Sequence, residues 1–283
     1  MLIAIPTFGR ALNQRTWASI PHSLRGDTFL FVQSQEKERY LSYVKNLVVL
    51  PPEIKDIATT RDYIISYAHT FEDVVIMCDD DLDFAVRRQD DPTRFREANE
   101  DDIEDMFLHL SIALKTYAHA GVSPREGANR NIENWLFNTR MLRVIGYQPE
   151  VLLKHKIKFS DVQFMEDFHV NLSLLERGYV GALCNMYVNN QPGSQIAGGC
   201  SGQRTPENQH AAALRLAELH PGFVTVVRKT TKTSWGGRGR TDVRIAWKKA
   251  YESSGSNTTP ELLDRGTGND TPKEGSQSTE TVE

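Results

Sequence analysis

Cysteine is scarce: Cys78, Cys184 and Cys200 are odd in number and stand far apart in the chain, which excludes a disulfide framework and a thiolate zinc site. No apolar run approaches bilayer-spanning length, and Met1 to Arg10 lacks the charged, apolar and small-residue order of a signal peptide. A soluble, cytoplasmic protein without membrane association is expected. Positive charge is not in excess either: 33 Lys and Arg stand against 37 Asp and Glu, for a formal net charge of -4 and a pI near 6.1. That balance excludes a uniformly basic nucleic-acid binder and leaves room only for a local basic patch. No repeat recurs at solenoid period, and the length of 283 residues suits one principal core with a small appendage.

What is present centres on Asp73 to Phe84. Val74 to Cys78 form an apolar, β-branched run of strand length that stops at Asp79, Asp80 and Asp81, with Asp83 close behind. A run without polar alternation suits a strand covered on both faces, as in a parallel sheet, where ligands gather at the carboxyl ends of strands. Crowded carboxylates there suit a hard divalent cation, Mg2+ or Mn2+. A solvated acidic turn is the plainer explanation, and this stretch alone does not separate the two.

Around it the pattern alternates. Leu2–Ile5 reads as a strand that breaks at Pro6-Thr7-Phe8-Gly9-Arg10; Thr28–Val32 and Asn46–Leu50 read as strands with a short helix, Glu36–Val44, between them. Alternating β and α predict a parallel sheet. Thr59 or Thr60 is the expected cap of a helix bearing Ile64, Ile65 and Ala68, with Arg61 in its first turn, where a cation opposes the helix dipole unless an anion such as phosphate meets it. Asn99 should cap a helix with Ile103, Met106, Phe107, Leu110 and Leu114 on one face, running to Gly121 and carrying His109 and His119 on its surface. A cationic loop, Gly121 to Asn131, follows, then a strand at Ile132–Phe137 and an apolar segment at Met141–Ile145. Glu166 and Asp167 open a further helix that closes at Arg177-Gly178, and the dipole there favours ionised carboxylates, as a general base requires; simple capping would also explain the pair. Tyr179–Val188 reads as a strand, Asn189–Gly202 as a Gly-rich passage, Ala211–Leu219 as a helix and Phe223–Val227 as a strand. Arg228, Lys229, Lys232, Arg238, Arg240, Arg244, Lys248 and Lys249 then gather with Trp235 and Trp247 in a non-helical run against Asp242 alone. This is the composition that grips nucleic-acid phosphates and stacks bases, although a solvated basic face has it too. From Glu252 the chain turns Ser-, Thr-, Gly- and Glu-rich, as a disordered tail does.

Four stretches, in order, resemble the GT-A glycosyltransferases that use nucleotide-diphosphate sugars: Ile5-Pro6-Thr7-Phe8-Gly9-Arg10, Ala58-Thr59-Thr60-Arg61-Asp62, Asp79-Asp80-Asp81, and Glu166-Asp167 with Glu176-Arg177-Gly178-Tyr179. A narrower likeness, carried by Tyr187 to Gln191, Gly198-Gly199-Cys200 and His220-Pro221-Gly222, is to the phage glycosyltransferases associated with TET/JBP-type oxygenases, which resemble base J glucosyltransferase. The resemblance implies an α/β, Rossmann-like GT-A fold with a mostly parallel central sheet flanked by helices and a basic carboxyl-terminal extension. It divides the chain into a GT-A domain at 1–227, a basic segment at 228–251 near the acceptor site, and a tail at 252–283. It further implies a UDP-sugar donor at Pro6, Thr7, Arg10, Arg61, Asp79 and Asp80, and Mn2+ or Mg2+ at Asp81 and Asp79. Asp167, with Glu166 beside it, would be the catalytic base for inverting transfer. The acceptor would be a 5-hydroxymethylpyrimidine in DNA, with 5-hydroxymethylcytosine and glucose as the expected base and sugar, and the basic segment as the DNA contact. Where many GT-A enzymes place a metal-binding His, this chain has Asn189, Asn190 and Gln191; His210 is the available substitute. Three alternatives stay open: transfer to a glycan or lipid, nucleotidyl or phosphoryl chemistry at the same acidic motif, and a non-enzymatic DNA-binding accessory protein.

Overall fold

The structure, a computed structural model, describes residues 1–191, 204–230 and 239–256. Ten strands form one sheet: β1 (Leu2–Thr7), β2 (Thr28–Val32), β3 (Leu47–Val49), β4 (Val75–Cys78), β5 (Asp83–Arg87), β6 (Phe95–Glu97), β7 (His119–Pro124), β8 (Trp135–Phe137), β9 (Val144–Tyr147) and β10 (Gly181–Asn190). Two more, β11 (Val224–Lys229) and β12 (Arg240–Ile245), pair only with each other. The helices are α1 (Arg15–Ser19), α2 (Lys37–Tyr40), α3 (Ile57–His69), α4 (Glu100–Thr116), α5 (Pro149–Lys154), α6 (Glu166–Leu175), α7 (Pro206–Leu219) and α8 (Trp247–Glu252).

Strand order is β3-β2-β1-β4-β9-β7-β10-β5-β6, with β8 also on β10. β1 to β4 are mutually parallel, β7 and β10 share their direction, and β9, β5 and β8 run against it. The expected mostly parallel α/β sheet flanked by helices is therefore observed. Chain order reverses between β1 and β4, and at such a switch point the loops beyond the two strand ends part and leave a crevice. The apolar run of β4 is buried residue by residue. Ile76 and Cys78 join the core formed with α1 and α4, while Val75 and Met77 join the core formed with α3 and α6. Among the described residues no helix is long and apolar enough to cross a membrane.

Several local expectations need correction. α3 starts earlier than Thr59, because Asp56 is its cap and accepts from the Thr59 N–H. α4 has the expected Asn99 cap, in a reciprocal pair with Asp102, but stops at Thr116 rather than Gly121. His119 and Gly121 belong to β7, and a Cβ at Gly121 would lie 2.9 Å from the Val144 carbonyl of β9. That glycine permits close strand approach; it does not end a helix. His119 is buried, and burial lowers its pKa to about 3, so it is neutral near pH 7. α7 begins at Pro206 behind a Thr205 cap, and Trp247 opens a helix, so the basic run is not wholly irregular. The boundary at 227/228 falls inside β11. Cys200 and residues 257–283 of the expected tail lie outside the described residues.

Candidate active site

The acidic turn after β4 is held from three directions. Thr16 of α1 donates its hydroxyl to the Asp79 carbonyl at 2.5 Å and accepts from the Leu82 N–H at 3.0 Å. Thr7, at the end of β1, donates to Asp80 Oδ2 at 2.6 Å. Arg10 reaches both Asp80 Oδ1 and Asp81 Oδ2, at 2.5 and 2.8 Å. Asp80 is buried, and burial, with Asp81 nearby, raises its pKa to about 6 against the opposing pull of Thr7 and Arg10. Asp81 also accepts from the Gln191 amide on both oxygens, at 2.9 and 3.1 Å. Asp83 has left the cluster: it begins β5 and pairs at the surface with Arg15.

Arg61 joins the turn to α6. One terminal nitrogen lies 2.9 Å from Asp79 Oδ1 and the other 2.7 Å from Glu166 Oε1. The guanidinium is almost fully buried; burial lowers its pKa, but the charges of Glu166, Asp79 and Asp167 outweigh that and raise it. Glu166, also buried, is driven above the ordinary carboxylate range by desolvation, with Arg61 opposing and Asp167 adding repulsion. Asp79 is raised for the same reason, with Asp81 and Asp167 as like charges. Met165, immediately before the pair, has φ of 63°, a conformation unfavourable for a side chain with a Cβ and most often retained where local geometry serves a site. Behind it α6 is pinned by His169 Nδ1 against His220 Nε2 at 2.9 Å and His220 Nδ1 against Glu176 Oε1 at 2.7 Å.

Asp79, Arg61, Glu166 and Asp167 line a cavity of about 530 Å³, together with Arg143, Gln191, Phe168, Gln209, Lys229, Arg240, Asp242 and Trp247 among others. The volume falls within the range of small-ligand sites. Pro6, Thr7, Arg10, Asp80 and Asp81 do not line it; Pro6 and Thr7 are buried at the β1 end. Arg61, expected to meet an anion such as phosphate, and Arg10, expected at the donor, are each paired with carboxylates. His210 is exposed on α7, with Nδ1 3.1 Å from Thr241 Oγ1, and is not brought into the cavity. Of the basic segment, Lys229 and Arg240 line the cavity and bind Asp242, whereas Arg228, Arg244, Lys248 and Lys249 are exposed elsewhere. Lys232, Trp235 and Arg238 lie outside the described residues. Thr16, Arg143 and Gln209 carried no sequence signal, and Gln191, standing where a metal-binding His is usual, and Asp242, the lone acid of the basic run, gave no sign of their contacts. Thr16, Arg143, Gln191 and Asp242 act through Asp79, Glu126, Asp81 and Lys229, whereas the Gln209 Oε1 is buried without a partner.

Among the described residues no three or more His, Cys, Asp and Glu side chains form a metal-holding group. The donors at hand are nevertheless hard oxygens, Asp79 and Asp81; Asp79 is raised chiefly by desolvation, with the charge of Asp81 adding to it. That set fits a divalent ion that takes the rest of its shell from a bound phosphate and water.

A sequence model described as TET-Associated Glycosyltransferase matches residues 1–198. Among solved structures, S. aureus TarS (residues 1–349, with UDP) is similar at 13% identity and a TM-score of 0.45, covering 77% of this chain and 65% of its own. The mannosyltransferase PcManGT from Pyrobaculum calidifontis, with GDP-Man and Mn2+, is similar at 15% identity and a TM-score of 0.44, covering 65% of this chain and 55% of its own. The chain thus spans less than two thirds of either. No curated protein matches the chain.

Proposed function

The chain belongs to the TET-associated glycosyltransferase family, and from that premise we propose that it moves a sugar from a UDP-sugar to the hydroxymethyl group of a 5-hydroxymethylpyrimidine in DNA. Glucose and 5-hydroxymethylcytosine are the expected donor sugar and acceptor base. The observation that carries this reading is that Asp79, at the end of β4, and Glu166, at the start of α6, share Arg61 and line one cavity together with Asp167.

The two acids of α6 then have different roles. Glu166 is bound to Arg61 and fixes the helix start against Asp79; it is a positioning residue. Asp167 lines the cavity with no ion pair of its own among the described residues, and it serves as the base. Its carboxylate takes the hydroxyl proton as the acceptor oxygen bonds to the anomeric carbon and the bond to the diphosphate oxygen breaks, its electron pair leaving with UDP. One base and one displacement give inversion. Asp79 and Asp81 would hold Mn2+ or Mg2+, which would supply Lewis-acid neutralisation of the diphosphate. Pro6, Thr7 and Arg10 flank the donor nucleotide at the switch point between β1 and β4. Arg228, Arg244, Lys248 and Lys249 on the described surface, with Lys232, Trp235 and Arg238, meet the DNA backbone. The basic segment at 228–251 acts as the acceptor side of the site.

Release of UDP from UDP-sugar in the presence of acceptor DNA tests the donor half. It is expected to need Mn2+ or Mg2+, to stop with EDTA and to stop in Asp81→Ala; turnover that survives both treatments refutes the metal assignment.

A further inference from the structure

The family match ends at residue 198, yet part of the cavity wall comes from beyond it: α7 supplies Gln209, β11 Lys229, β12 Arg240 and Asp242, and α8 Trp247. Asp242 is fixed as an acceptor. Its Oδ2 accepts from Lys229 Nζ at 2.8 Å and Arg240 at 3.1 Å, and its Oδ1 accepts from the Val243 N–H at 2.9 Å. A carboxylate offers about four lone-pair positions, so Oδ1 keeps one. Burial works to raise this carboxyl, but the Lys229 and Val243 hydrogen bonds and the Lys229 and Arg240 charges overcome it and hold it below the ordinary range. Gln209 is 7% exposed, and its Oε1 is buried without a partner. A buried acceptor left unpaired in a cavity wall points to a donor on whatever enters. Beside these groups the rings of Phe168 and Trp247 meet edge to face, 5.6 Å apart, and both line the cavity.

We propose that this wall, most of it outside the family match, reads the acceptor base: Asp242 and Gln209 accept hydrogen bonds from an exocyclic amine, and the ring packs against the Phe168–Trp247 pair. The inference rests on the transferase reading above. In 5-hydroxymethylcytosine the amine is on the ring carbon next to the one bearing the hydroxymethyl group, so the edge that is read adjoins the oxygen that reacts. 5-Hydroxymethyluracil has a carbonyl there instead. A carbonyl facing Asp242 sets two acceptors against each other, which is discrimination by repulsion as well as by attraction.

The test compares kcat/KM of the full chain on two DNAs that differ only in carrying 5-hydroxymethylcytosine or 5-hydroxymethyluracil. Within each preparation the ratio of the two values is independent of the fraction of folded protein. Wild type is expected to favour the cytosine by about tenfold or more, the usual discrimination of a good side-chain pair to a base. In Asp242→Asn the carboxamide can donate to a carbonyl, and the ratio is expected to fall toward one or reverse. Gln209→Leu disturbs no ion pair and is expected to lower the ratio as well; it carries the test if Asp242→Asn does not fold. A wild-type ratio near one, or an unchanged ratio in Asp242→Asn (in Gln209→Leu if that variant does not fold), overturns the inference while leaving the transferase reading intact. Wild type that transfers to neither DNA overturns both.

Discussion

Replacing Arg61 by Met removes the charge that joins the acidic turn to α6 while keeping most of the volume. Glu166 and Asp79, at 7% and 28% side-chain exposure, lose their shared cation. Removing one partner of a buried pair typically costs about 3–5 kcal/mol, and Glu166 meets that description more fully than the wetter Asp79. At this chain length the loss corresponds to a fall in Tm of about 6–20 °C. The sign with pH is fixed by linkage. Without Arg61 both folded-state carboxyl pKa values move further above their unfolded values, so over that range the folded variant binds more protons and loses stability as pH rises. The deficit relative to wild type should therefore be largest near pH 7.5 and shrink toward pH 5, by up to about 1.4 kcal/mol per pH unit for each carboxylate that titrates. Urea unfolding at the two pH values measures it, and Arg61→Met/Glu166→Gln should recover most of the loss. A deficit under about 1 kcal/mol, or one equal at both pH values, refutes the view that Arg61 holds two buried acids.

Other outcomes follow from the same geometry. Asp167→Asn should lower transfer by about 10²–10⁴-fold while binding of UDP and DNA, measured by calorimetry, is retained; a smaller loss than Glu166→Gln would exchange the roles given to the two acids. Lys248→Ala with Lys249→Ala should weaken DNA binding and reduce the slope of log K against log salt by about 1–2; an unchanged slope removes these residues from the DNA contact. The pKa of His169 is lowered to about 4 by burial and by His220, so the unfolded chain takes up a proton there before the folded one does. The stability of wild type relative to His169→Gln should fall by about 2–3 kcal/mol between pH 7 and pH 4; a difference that stays flat shows that His169 is not held neutral.

The legible parts of this chain were those in which one segment decides. The unbroken apolar run of Val74 to Cys78 announced a strand buried on both faces, observed at Val75–Cys78, and the alternation before it announced the parallel order of β1 to β4. Asn99 and its acidic first turn marked α4 correctly. The end of that helix was misread because Gly121 looks like a helix stop, whereas its role is to let β9 approach β7. A lone sequence cannot distinguish a glycine needed for conformation from one needed for clearance. The site divided the same way. Asp79, Asp81, Glu166 and Asp167 announced themselves as carboxylates at element ends, but their pairing through Arg61 depends on three elements meeting in space. Arg10 and Arg61 stand out in the sequence as cations at element ends, but the carboxylates that pair with them are brought there by other elements. Gln191, standing where a metal-binding His is usual, and Asp242, the lone acid of the basic run, gave no sign of their contacts because the chemistry of each is set by a distant partner: Asp81 for the first, Lys229 for the second.

The central claim, sugar transfer to a hydroxymethylated base, is tested most directly by mass analysis of the acceptor. Protein is incubated with Mn2+ or Mg2+, a panel of UDP-sugars and DNA containing 5-hydroxymethylcytosine or 5-hydroxymethyluracil, and the DNA is digested to nucleosides. The account predicts a hexose-sized mass increase on the modified nucleoside with one of these donors, absent in Asp167→Asn. Nucleosides of unchanged mass across the panel, with UDP still released from the donor, would contradict it.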